Sequence, residues 1–320
     1  AAPSWANFAG CEFTVYNRSA NPVKIGSFPT AAPGEACYVL TLDAAGRAAT
    51  GAEFPLGKYE IRETKGNAYY QCNTGWSQTF EVTMGGTTAF SFTVANTPVK
   101  GHIQLTKIDS TDGKPLTGAV FTVTHPDGHT ENMVEEANGI HALRNLRYGK
   151  YTVQETKAPD GFQLDPTVYT VEITENGKVY EVKTPGYEGV ANAPVPGSIS
   201  IQKVDSHGNP MPGVTFKLEY SLDDGGTWLP VTSRAPDALL TPGTSSTPNI
   251  VDGALTTDAG GKIRFEGLRI NSQTGNVKYR LTEVATTNGH TLLAGTAFEG
   301  YITADKVDIT IRAINGTAFE

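Results

Sequence analysis

The 320-residue sequence has no surplus of positive charge. Its 25 Lys and Arg stand against 33 Asp and Glu, a formal net charge of −8. Without a basic stripe to supply phosphate contacts, a nucleic-acid partner is excluded. No apolar run approaches the roughly 18 residues of a membrane span. The chain opens without a charged region leading into an apolar stretch, so any export signal is expected to have been removed. Cysteine is scarce: Cys11, Cys37 and Cys72, all near the start. Their spacing fits no zinc pattern, and no metal site is expected. In an exported protein this placement points to one disulfide and one leftover thiol, with all three pairings open. The adjacency of Gln71 and Cys72 offers another reading, a Cys–Gln thioester. The six histidines are scattered through loops and strand ends, with no nucleophile–His–acid arrangement, so neither a turnover enzyme nor a cofactor is expected.

Thirty-five glycines, nineteen prolines and many short alternating runs indicate an all-β protein. The length suits three domains of about 100 residues: 1–98, 99–195 and 196–320. Two short proline-bounded joints separate them, Thr97–Gly101 and Ala193–Gly197. KIDSTDGKPLTGAVFTV in the second segment returns as KVDSHGNPMPGVTFKL in the third, a visible tandem repeat. Asp109 and Asp112 fall in the turn of this hairpin and read as turn residues bonding their own backbone, not as cation ligands.

The strongest pattern lies in mid-segment. In YTVQET, Tyr151, Val153 and Glu155 share one strand parity, so Glu155 faces the core with them. Glu63 stands in phase with Tyr59 and Ile61, and Glu283 with Tyr279 and Leu281. Lys107 follows Ile103 and Leu105 on the inward parity of the second segment's first strand. Lys203 follows Ile199 and Ile201 in the third. Near the segment ends, Asn192 is in phase with Val190, and Asn315 with Ile309, Ile311 and Ala313. A buried carboxyl or amine is costly unless it is neutralised or paired, so these groups are expected to meet.

An inward Lys on the first strand, Glu in the middle and Asn on the last resembles the Cna B-type domain family of Gram-positive surface proteins and pilins. The resemblance implies three tandem prealbumin-like, inverse Ig-like β-sandwiches in an elongated array. It also implies intramolecular isopeptide bonds Lys107–Asn192 and Lys203–Asn315, with Glu155 and Glu283 as the catalytic proton shuttles. The first segment keeps Glu63 and Asn96 as a vestigial site. With CEFTVYN taken as its first strand, Val15 or Asn17 stands where the lysine belongs, and Lys24 is the nearest substitute, so no bond is expected there. Cys11, Cys37 and Cys72 are expected to supply a disulfide staple instead.

The function implied is a cell-wall-attached, extracellular surface protein, an ancillary pilin or adhesin stalk. Its partners would be other pilus or cell-wall components, joined through sortase, and a host protein or glycan. No LPxTG motif is present, and a sorting signal is expected to follow Asn315 closely. A backbone pilin is the alternative, but no YPK-like motif is found and Lys100 is a weak substitute. A host-ligand module is the other alternative, with recognition in the first segment, where Tyr69, Tyr70 and Trp76 crowd one loop. A Pro-, Ser- and Thr-rich insertion, Asp223–Leu255, reads as a mobile loop, with Trp228 as its binding candidate.

Overall fold

The alternating runs become strands because every second side chain finds an apolar face, and Gly- and Pro-rich turns interrupt them before they lengthen. The computed structural model describes residues 6–86, 89–231, 253–287, 289–292 and 295–314. Their strands fall into three sets along the chain.

The second set runs β5 (Lys100–Asp109), β6 (Val120–Thr124), β7 (Thr130–Asn132), β8 (Val134–Glu135), β9 (Ile140–Arg147), β10 (Gly149–Lys157), β11 (Val168–Ile173), β12 (Val179–Val182) and β13 (Val190–Asn192). One sheet is ordered β11-β10-β6-β7. The other is β12-β5-β9-β8, with β13 also pairing β5. Ile103 and Leu105 of the second sheet pack against Phe121, Val123, Tyr151 and Val153 of the first, closing a sandwich core.

In the third set are β14 (Pro196–Val204), β15 (Thr215–Ser221), β16 (Leu229–Pro230), β17 (Ala254–Thr256), β18 (Lys262–Arg269), β19 (Lys278–Ala285), β20 (Thr296–Tyr301) and β21 (Asp308–Ile314). They repeat the plan as β16-β15-β19-β20, with β17 on β15, facing β18-β14-β21. In each sandwich the last strand lies parallel to the first, β13 on β5 and β21 on β14. The two sets touch: Asp109 Oδ2 accepts from Thr274 Oγ1 at 2.8 Å, and the Thr117 amide donates to Gln273 Oε1 at 2.8 Å.

The first set differs. β1 (Glu12–Asn17), β2 (Ala36–Thr41), β3 (Gly57–Lys65) and β4 (Ser77–Val82) form one antiparallel sheet, ordered β2-β1-β3-β4. No second sheet faces it among the described residues. The register identifies its strands. Phe13 lies opposite Glu63 in β1–β3, as Phe121 lies opposite Glu155 in β6–β10 and Phe216 opposite Glu283 in β15–β19. β1 is therefore the counterpart of β6 and β15, not of the lysine-bearing β5 and β14. CEFTVYN is the first strand of the described chain, as expected, but its register differs from that of the lysine strand with which chain order equates it. Neither Val15 nor Asn17 occupies the lysine's place: Val15 pairs with Ile61, and Asn17 with Tyr59.

Candidate cross-linking site

Three strands of the second sandwich meet at one buried point. β5 delivers Lys107, β10 Glu155 and β13 Asn192, with relative exposures of 0, 1 and 2 %. Period-two alternation turns each inward with its apolar neighbours. Lys107 Nζ donates to the Val190 carbonyl at 2.7 Å and stands 3.9 Å from Glu155 Oε1. Asn192 Nδ2 donates to Glu155 Oε1 at 2.9 Å and Oε2 at 2.8 Å. The Asp165 amide adds a third donor, 2.8 Å from Oε2. Asn192 Oδ1 is buried without a hydrogen-bond partner among the described residues. Burial pushes Lys107 down from 10.5 to about 8, against the opposing pull of Glu155, Asp165 and Asp109. A neutral amine is thus accessible at mildly basic pH, beside an amide and a carboxyl.

The third sandwich repeats the pair. Lys203 Nζ donates to Glu283 Oε2 at 2.8 Å, both side chains being buried. Glu283 Oε1 has no hydrogen-bond partner among the described residues. Lys203 stands opposite Ala313 as Lys107 stands opposite Val190. Asn192 comes two residues after Val190, and Asn315 two after Ala313. Asn315 itself lies outside the described residues.

In the first set Glu63 is 3 % exposed and keeps the same cradle. Asn96 Nδ2 donates to its Oε1, and the Asn73 amide to its Oε2 at 2.9 Å, as Asn192 and Asp165 do to Glu155. No lysine meets it among the described residues. Lys24 is exposed, on the loop after Asn17, at the opposite end of β1 from Glu63. The signal that identifies β1 was present in the sequence: Gly10-Cys-Glu-Phe13 matches Gly118-Ala-Val-Phe121 and Gly213-Val-Thr-Phe216. All three glycines have positive φ, 81°, 84° and 78°.

Cys11, Cys37 and Cys72 are free thiols, so the expected disulfide is not formed in this structure. Cys37 Sγ donates to the Val15 carbonyl at 3.3 Å, while Cys11 and Cys72 both feel the charge of Glu63. Gln71 Nε2 turns to the Pro98 carbonyl. The aromatic loop packs inward or onto its neighbour. Tyr70 stacks on Phe8 at 4.2 Å, Trp76 meets Phe13 edge-on at 5.6 Å, and Tyr69 meets Tyr148 of the second set at 5.1 Å.

Asp109 Oδ1 accepts from the Thr111 amide and Asp112 Oδ1 from the Lys114 amide, as turn residues do. Trp228 lies under the Arg280 guanidinium at 4.3 Å, and residues 232–252 of the insertion lie outside the described residues. One grouping escaped the sequence reading. In the β6–β7 hairpin, His125, His129 and Glu131 bring three metal-ligand atoms within 4.8 Å of one another. They are two, four and six residues apart, a spacing the hairpin closes up and the linear pattern does not display.

Residues 101–187 and 197–317 match the SpaA prealbumin-like fold domain. The chain belongs to the SpaA prealbumin-like domain family. A trypsin-resistant surface T6 protein of Streptococcus pyogenes serotype M6 is 36 % identical over 84 residues, 26 % of this chain and 15 % of that protein. The Bacillus anthracis TIE protein has a similar fold, at TM-score 0.61 and 22 % identity, over 99 % of this chain and 48 % of that one. The chain thus spans under half the length of each. Both SpaA-type domains hold the buried Lys–Glu pair, and among the described residues of the unmatched first segment the carboxyl meets the amide without a lysine.

Proposed function

We propose that the chain is a stalk portion of a Gram-positive cell-surface or pilus protein, stiffened by autocatalytic isopeptide bonds. The observation that carries this reading is the enclosure of Lys107, Glu155 and Asn192 together in an apolar core. A buried ion pair alone is a poor stabiliser beside apolar packing, so reaction is the better account of the three groups. Lys107 passes a proton to Glu155, and its neutral Nζ attacks Asn192 Cγ. The Glu155 hydroxyl donates to the amide oxygen, delivers its proton to the departing Nδ2, and takes up the second proton that Nζ sheds as the new amide forms. One Nζ–Cγ bond forms, one Cγ–Nδ2 bond breaks, and ammonia leaves. Folding holds the partners in contact and replaces an external enzyme. Each site reacts once.

Lys203, Glu283 and Asn315 take the same roles in the third segment. Each bond joins the first strand of a sandwich to its last, so tension enters and leaves without loading the ladders between. The relationship to a surface protein described as trypsin-resistant is in keeping with such cross-links. Attachment to the cell wall through sortase, an ancillary rather than backbone place in a pilus, and host contact all belong to this proposal. The test is the intact mass of the folded protein. Two lost ammonias are expected, with branched peptides Lys107–Asn192 and Lys203–Asn315 after digestion. The unmodified mass would overturn the reading.

A further inference from the structure

The β6–β7 hairpin turns over His125-Pro-Asp-Gly-His129. Pro126 and Asp127 suit the turn, and Gly128, at φ +87°, takes the left-handed position on which a three-residue hairpin loop ends. The His125 amide donates to the His129 carbonyl at 2.9 Å, so the two histidines stand opposite each other. Two residues further along, Val123 pairs with Glu131. Side-chain alternation therefore puts His125, His129 and Glu131 on one face, the face that carries Val123 into the core.

The ligand atoms of these three residues lie within 4.8 Å of one another. The imidazoles stack with their centroids 3.7 Å apart. His125 Nε2 is 2.7 Å from Glu131 Oε1, and His129 Nδ1 is 2.6 Å from Asp127 Oδ1. His125 is the anchored member: its side chain is 9 % exposed, and its ring meets Tyr151 edge-on at 5.1 Å. The side chains of His129 and Glu131 are about half exposed, with room to turn. Zinc bonds of about 2.1 Å place tetrahedral donors about 3.3 Å apart, which rotation of these two side chains reaches. Surface pairs of this kind contribute little to stability by themselves. Two positive rings stacked so closely repel, whereas two neutral rings each turn a lone pair to a shared ion.

The geometry points to a zinc site on this hairpin, with His125, His129 and Glu131 as its protein ligands. Asp127 orients His129. By accepting the Nδ1 proton in a hydrogen bond it leaves the Nε2 lone pair for the metal. Two imidazoles and one carboxylate select a borderline transition ion over Ca2+ or Mg2+, and zinc imposes no angular preference of its own. Water completes the tetrahedral shell.

The place of the site gives it a role. β7 is the outer strand of its sheet, three residues long and exposed at each. Beyond it the chain crosses through Met133 to β8, the outer strand of the facing sheet. An ion joining His125 to His129 and Glu131 clasps this edge where the chain passes between sheets. Because it binds the closed hairpin, it stabilises the sandwich by mass action. His125 lies four residues beyond Phe121, the partner of Glu155, so the cross-link does not enter this inference.

The test uses the full 320-residue protein without an affinity tag, dialysed against micromolar Zn2+. Metal content, hydrogen exchange and thermal melting are the readouts. The expected result is one zinc on the hairpin, slower exchange at residues 130–132 and a higher melting midpoint. Chelator reverses all three, and Mg2+ reproduces none. His129→Ala loses this ion, while its exchange pattern without metal matches the parent. Asp127→Asn keeps the one-to-one ratio with affinity lowered about 10–100-fold, as befits an orienting partner. A parent protein that retains no zinc overturns the site. Zinc retained equally by His129→Ala sits elsewhere, on the thiols for instance, and overturns the site as well. Zinc bound with exchange at 130–132 unchanged overturns the clasp.

Discussion

Phe13 lies directly across from Glu63 in the β1–β3 pair, and this register makes β1 the counterpart of β6 and β15, the strands that flank the glutamate strand in the other two sets. The glutamate sits opposite the same aromatic in all three sets, so the carboxyl is placed by one sheet. The amine must come from the other. The proposed cross-link therefore depends on the two sheets of a sandwich closing over the site.

Glu155→Ala is expected to remove the second-segment bond and leave the fold. Glu155 moves protons but is not itself a partner in the bond. The variant should lose one ammonia, from the third segment, and no Lys107–Asn192 branched peptide should be recovered. Removing a link that closes a loop of this size should lower stability by about 4 kcal/mol, by analogy with a disulfide. A branched peptide from the variant would show Glu155 to be dispensable.

Stability of the unlinked second sandwich should rise with pH. In Asn192→Ala the amine remains but cannot react. Burial holds Lys107 near 8 in the folded state against 10.5 ordinarily. Between these values the unfolded chain binds the extra proton, so stability increases as pH climbs through the window and is flat and lowest below it. The displacement corresponds to on the order of 3 kcal/mol. Urea denaturation below pH about 8 and near pH about 10 should show it, read as a difference from Asn192→Ala/Lys107→Met. An identical pH response in the two variants would contradict the buried-amine reading.

The thiols should resist reagent while the protein is folded. Burial pushes Cys37 up to about 11 and also raises Cys11 and Cys72. Alkylation at neutral pH is expected to label Cys72 first, because it is only half-buried, and to label all three after unfolding. Recovery of a single labelled cysteine from unfolded, unreduced protein would show that a disulfide forms after all.

Gly261→Ala should disturb the Lys203 strand. Gly261 has φ +71°, and a Cβ there would stand 2.4 Å from the Lys203 carbonyl oxygen. Its own carbonyl accepts from the Lys203 amide at 2.7 Å. The strain is expected to cost about 1–3 kcal/mol and to slow ammonia loss in the third segment alone. Thermal melting and a mass time course after refolding would measure both. A variant that matches the parent in both would mean that Lys203 is positioned independently of this turn.

Much of the site was legible before any fold was known. Tyr151, Val153 and Glu155 share a parity, as do Ile103, Leu105 and Lys107, and side-chain alternation is a local property of extended backbone. The same rule turned Glu63 and Glu283 inward. The His125–His129–Glu131 grouping was not legible, because it needs the hairpin to bring its two sides together.

The sequence by itself determined the all-β class, the tandem repeat of the second and third segments, and which face of each strand is buried. These follow from period-two patterning and turn chemistry, which act over a few residues. Only the tertiary structure decided which strand stands beside which. An alternating run such as CEFTVYN is equally compatible with either sheet of a sandwich, and chain order assigned it to the wrong one. Pairing is fixed by contacts between residues far apart in sequence, Phe13 with Glu63 and Lys203 with Ala313 among them. Those contacts bring an amine to the carboxyl at Glu155 and Glu283, and an amide to the carboxyl at Glu63.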